Sequence, residues 1–201
     1  YGYVGGGVYV QEGAPTLAHN IIENNDTHFP TPPNGEAIGG GIYARDATIT
    51  ILDNLIRNNI SGRGGGIGID GGIVVIRGNI VQGNIGQSDH GGGIYIGAPS
   101  IEISHNRIVG NEVGRALNYG WGGGIVILGV DSTATLSYNL ITDNYAPSIG
   151  SGVFIDDGAQ AVLNHELIYD NQCARSGGAA LYVDGYADIG SRATVLHTTI
   201  A

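Results

Sequence analysis

The chain has no lysine and no methionine, a single cysteine (Cys173), a single tryptophan (Trp121) and only two phenylalanines. Each shortage excludes something. One thiol leaves no intrachain disulfide to staple a fold. With arginine as the only strong base, the net charge is −10. That balance speaks against nucleic acid and anionic membrane surfaces as partners, because their phosphates attract basic patches. No apolar run approaches the roughly 18 residues a spanning helix needs, so no membrane insertion is expected in this segment. No window carries a helical period either.

What is abundant is glycine, 37 of 201 residues, yet 42% of the chain is hydrophobic. That much isoleucine, leucine and valine separates it from a flexible linker. Glycine does not recur every third residue, which excludes collagen. The glycines belong to a phrase: "GGGVYV" at Gly5, "GGGIYA" at Gly39, "GGGIGI" at Gly64, "GGGIYI" at Gly91, "GGGIVI" at Gly122, "GSGVFI" at Gly150 and "GAALYV" at Gly178. A second phrase follows each time: "NIIENN" (20–25), "NLIRNN" (54–59), "NIVQGN" (79–84), "NRIVGN" (106–111), "NLITDN" (139–144), "ELIYDN" (166–171) and a last "TTIA". In the first four repeats the two phrases start 15 residues apart.

Within a repeat, apolar residues alternate with a period of two in three short runs, the pattern of half-buried strands. Ile94 and Ile96 mark the first run, Ile101 and Ile103 the second, Ile108 the third. Such strands bury a face only by stacking on their neighbours. The expected fold is all-β, a right-handed parallel β-helix of about seven coils, with equivalent residues ~4.8 Å apart. Residues 1–201 read as one β-helix domain whose ends carry no capping pattern, so a segment of a longer protein is expected. Glycine serves the corners between sheets, where φ is positive or backbones approach closely. Asn25, Asn59, Asn84, Asn111, Asn144 and Asn171 are expected to form a structural ladder of stacked amides.

The pattern GG[GA][ILV] followed by NxIxxN resembles the parallel β-helix repeats of secreted bacterial and archaeal surface proteins. These include adhesin-like proteins and, more loosely, polymorphic membrane proteins. The resemblance covers essentially the whole chain and implies an extracellular or cell-surface location in a prokaryote.

Four groups of residues are candidates for function. Tyr9, Tyr43, Tyr95, Phe154 and Tyr182 fall between the inward aliphatics of the glycine phrase, with Gly68 and Val126 completing the column. An outward aromatic column suits the apolar faces of sugars, although stacking between strands is an equal use of it. Glu12, Asp46, Asp70, Asp156, Asp157 and Asp184 follow the same strand, as speculative Ca²⁺ ligands, an acid/base pair or plain turn residues. His19, His105, His165 and His197 share a third column, while His28 and His90 stand apart. The long connections at 26–38 and 112–121 supply Arg115, Tyr119 and Trp121, of which Arg115 and Trp121 form a candidate recognition tip.

The best expectation is a non-catalytic scaffold, an adhesin-like stalk that binds carbohydrate or another surface protein. No cofactor is expected, Ca²⁺ being the one candidate. The alternative is a polysaccharide lyase, hydrolase or epimerase, but the "NTD…DD…GHG" and "DPHE" motifs of such enzymes are missing. Self-association, end to end or laterally, is a third reading.

Overall fold

A computed structural model describes residues 6–27, 37–114, 118–175, 178, 180–185 and 190–201. Each coil is built from short strands joined by tight corners, and every pairing between coils is parallel. The coil from Ile94 shows the plan: Ile94–Gly97, Ser100–Ser104, Arg107–Val109 and Glu112–Val113. The first two segments of the coils share a 12-stranded sheet, the third segments a 7-stranded sheet, and the fourth a 5-stranded sheet. In two coils the first two segments fuse into single strands, Ile42–Leu52 and Ile67–Arg77. Among the described residues no helix is long and apolar enough to cross a membrane.

The three runs read from alternation are present, and the architecture is the right-handed parallel β-helix they imply. The fourth segment corrects the count of three strands per coil. Ile60–Ser61, Ile85–Gly86, Glu112–Val113, Tyr145–Ala146 and Gln172–Cys173 are two residues each. That is too short for a period of two to show in a sequence.

Register makes the core. Ile22, Ile56, Val81, Ile108, Ile141, Ile168 and Ile200 stand directly over one another. Ile42, Ile67, Ile94, Ile125 and Val153 do the same on the first sheet. Most of these side chains are fully buried, each worth about 1.5–3 kcal/mol relative to exposure.

Two columns of amides line the inner corners. In one, Asn59 donates from its backbone N–H and from Nδ2 to Asn84 Oδ1, each at 3.0 Å. Its Nδ2 also donates to the carbonyl of Ile22 at 3.0 Å. The same step joins Asn25 to Asn59, Asn84 to Asn111, Asn111 to Asn144 and Asn144 to Asn171. A second column runs through the first Asn of each phrase: Asn20, Asn54, Asn79, Asn106 and Asn139. Buried amides thus satisfy themselves coil by coil. The glycine phrase makes room for them: a Cβ at Gly66 would sit 3.0 Å from Asn84 Nδ2 and 2.7 Å from the Gly93 carbonyl.

Candidate functional site

The outward residues of the glycine phrase form one column in the order Tyr9, Tyr43, Gly68, Tyr95, Val126, Phe154, Tyr182. Tyr9 stacks on Tyr43 at 5.6 Å, and Phe154 on Tyr182 at 5.9 Å. The column is not the open platform its alternation suggests. Tyr9 is 46% exposed, but Tyr43 is 3% and Phe154 2%. The cover comes from the residues just before each corner glycine. Gly39, Gly64, Gly91, Gly122 and Gly150 have positive φ, and this turn lays the preceding side chain over the outer face. Ile38, Arg63, His90, Trp121 and Ile149 occupy these positions and are joined in part by bridges.

Trp121 accordingly packs at 4.9 Å on His90 and 6.5 Å on Phe154. It belongs to a second apolar cluster outside the coil, with Val126, Leu128, Phe154, Tyr95, Ile149 and Tyr182. Trp121 is thus partly buried on the outer face; Arg115, its partner in the expected recognition tip, lies outside the described residues, as do His28 and most of the 26–38 connection. Burial, with the Asp70 charge nearby, pushes the Tyr43 phenol up to about 12.

Gly68 is where the cover comes closest. A Cβ there would collide with the Ile38 side chain and stand 2.7 Å from Gly39 N. Gly68→Ala is therefore expected to lower stability by about 2 kcal/mol through overpacking. The readout is the midpoint of urea unfolding. An unchanged midpoint would mean that Ile38 moves aside freely.

The cover itself carries an ion pair. Arg63 Nε is 3.0 Å from Asp89 Oδ1, and His90 Nδ1 is 2.9 Å from the same oxygen. Arg63 also rests 5.7 Å above the Tyr95 ring. Burial alone would raise the Asp89 carboxyl, but His90 and Arg63 outweigh it and hold the acid well below the usual range.

The acidic residues divide between two columns. Asp70 stands in register with Arg45 and Gly97, and Asp156 with Leu128. Asp184 continues that column, its N–H donating to the Ile155 carbonyl. Glu12, Asp46 and Asp157 lie one residue further on, with φ of 53°, 50° and 55°. They take the left-handed corner that Asp tolerates better than most residues. Among the described residues no three His, Cys, Asp or Glu side chains gather into a metal-sized group. The Asp156 carboxyl is raised by burial, against a hydrogen bond from Asp157 N at 2.6 Å, and further by the charges of Asp157 and Asp184.

Between these carboxylates the corner sinks, because two coils place Gly97, Ala98 and Gly129 where others carry acids. The result is a shallow groove of about 410 Å³ lined by Asp70, Tyr95, Asp131 and Asp157 among others.

The histidines form the third feature. His19, His105, His165 and His197 all have positive φ, and so does Tyr138 in the same column. Ring follows ring from His105 to Tyr138 at 5.1 Å, to His165 at 4.9 Å and to His197 at 4.9 Å. In the sequence Tyr138 breaks the histidine pattern of this column, which hides its membership. The position ahead of "NLITDN" was the available signal.

A parallel solenoid with amide ladders, aliphatic columns and a covered outer face is the class of protein these features define. The chain belongs to the right-handed β-helix family: its description, "Right handed beta helix region", matches residues 6–200. No curated protein and no solved structure matches the chain.

Proposed function

We propose that this β-helix is a non-catalytic scaffold, extracellular or at a cell surface, that binds a neutral carbohydrate in the groove beside Tyr95. The observation that carries the reading is the groove itself: an aromatic ring beside Asp70, Asp131 and Asp157 at a dip in the corner. Carboxylates accept hydrogen bonds from sugar hydroxyls, and a tyrosine ring offers an apolar face with a polar tip. The repeat resemblance to secreted surface proteins supports the location. The buried column is left with packing, so Tyr43 and Phe154 are not part of the proposed site.

The test is calorimetric titration of neutral oligosaccharides into the chain, with and without Ca²⁺. Tyr95→Ala and Asp157→Asn are each expected to weaken binding about tenfold, roughly 1.4 kcal/mol. Tyr9→Ala, outside the groove, should leave it unchanged. If no neutral sugar binds in either condition, the carbohydrate reading fails.

One observation favours a second reading, a glycoside hydrolase. A partly buried carboxyl raised above its ordinary range, as at Asp156, is what a general acid requires. Release of reducing ends by the wild type and not by Asp156→Asn would replace the scaffold reading with this one.

A further inference from the structure

We propose that His165 and His197 form a two-imidazole site for a divalent transition metal on the outer corner of the coil. The argument begins with the backbone. Both residues take the left-handed conformation, with φ of 57° and 48°, which throws their side chains outward at the same corner. The rung between them is held by the His165 N–H donating to the Leu196 carbonyl at 3.0 Å. Register therefore pre-positions the two imidazoles before any ligand arrives. Their centroids are 4.9 Å apart and their planes are inclined by 25°, a face-to-face stack. Both residues are exposed. Among the described residues neither imidazole takes part in a hydrogen bond or ion pair, and both make ring contacts alone.

Metal–imidazole bonds are about 2.0–2.1 Å long. Both rings are exposed, and turning both out of the stack about their side-chain torsions brings one nitrogen from each to a single ion. Neutral imidazole suits Cu²⁺, Ni²⁺ and Zn²⁺, whereas Ca²⁺ and Mg²⁺ prefer oxygen. Among the described residues no third His, Cys, Asp or Glu joins them, so water completes the coordination and the ion stays exchangeable. Stacking by itself asks only for flat rings, as Tyr138 shows by occupying the column below His165 at 4.9 Å. A metal asks for nitrogen. This distinction makes the proposal testable.

The experiment is titration of the whole chain with Cu²⁺, then Zn²⁺, in a non-coordinating buffer at neutral pH, followed by calorimetry. For Cu²⁺, electron paramagnetic resonance counts the coordinated nitrogens. The expected result is one ion per chain with two imidazole nitrogens, and Cu²⁺ tighter than Zn²⁺. His197→Phe keeps a ring in the stack and is expected to weaken binding about 100-fold. Tyr138→His adds a third imidazole to the column and should tighten binding about tenfold. The melting temperature of each variant separates lost binding from lost folding. Affinity unchanged in the His165→Phe/His197→Phe double variant would overturn the site, and so would no saturable binding at about 1 mM metal.

Discussion

Replacing Asn84 with alanine is expected to cost about 4 kcal/mol, the largest single effect anticipated for this chain. Asn84 is fully buried and its amide is used on every side. Its Oδ1 accepts from the backbone N–H and Nδ2 of Asn59. Its Nδ2 donates to Asn111 Oδ1 and to the Ile56 carbonyl, both at 3.0 Å. Truncation removes one bond from each of these partners on two neighbouring coils. Asn59 Nδ2 keeps the Ile22 carbonyl and Asn111 Oδ1 keeps the backbone N–H of residue 84, and each buried group left short costs about 1–3 kcal/mol. Not all of them find water, but some relaxation is expected, which sets the total near 4 rather than at the sum. Chemical denaturation measures it. A loss below 1 kcal/mol would show that water enters the corner and that the ladder contributes little. The same change at Asn25, at the half-buried start of the column, should cost clearly less.

The second large effect concerns Glu166, which takes an asparagine's place in the other amide column. Its Oε1 accepts from Asn139 Nδ2 at 3.1 Å and from Asn139 N at 3.3 Å. Its Oε2 is buried without a partner. In the preceding coils this second position is an Nδ2 that donates to a backbone carbonyl, as from Asn139 to Ile103. The carbonyl in register with Ile103 is that of Leu136. An ionised carboxylate has no proton to offer there, whereas the neutral acid has. Burial pushes the group up to about 7, although its bonds from Asn139 pull the other way.

The sign follows from linkage. The folded state holds the proton more tightly than the unfolded chain, whose value is 4.5. The stabilisation is complete below pH 4.5, falls as pH rises, and is gone above about 7, a change of about 3 kcal/mol. Glu166→Gln restores an N–H donor and removes the charge. The variant should therefore melt higher than the wild type at pH 8 and at nearly the same temperature at pH 4. Equal melting temperatures at both pH values would mean that Glu166 ionises without penalty in the folded chain.

These two sites show how unevenly function and fold are written in this chain. The β-helix was legible because its signal is redundant: Ile22, Ile56, Val81, Ile108, Ile141 and Ile168 recur in one phrase and meet in one column. Any single copy is ambiguous, but a repeat must stack on its neighbour to bury anything. The positions of Asn59 and Asn84 within that phrase likewise put both in one column. The first Asn of each phrase, at Asn54, Asn79 and Asn106, is as deeply buried, but ahead of a strand it reads as an ordinary turn residue.

The candidate site was legible only in part. The sequence shows Asp70 and Asp157 as corner acids, and Tyr95 as an outward ring. That Asp70 and Asp157 flank a groove depends on small residues in the coils between them, Gly97 and Gly129, which look like ordinary turn glycines in sequence. The fate of the aromatic column was hidden for a related reason. Alternation tells which residues leave the core, but not what crosses over them afterwards. Tyr43 and Phe154 point away from the core and are buried nonetheless.

The coil is written in the repeats: their period sets the stacking, their alternation the core, and their glycines and asparagines the corners. Each of these is a local property multiplied by register. The surface is set by contacts between coils. The positive φ of a corner glycine such as Gly122 carries Trp121 over Phe154, and Tyr138 completes the ring stack from His105 to His197. Such contacts join residues of different coils and different columns. Their distances depend on the angle at which each loop leaves its corner, and no repeat specifies that angle.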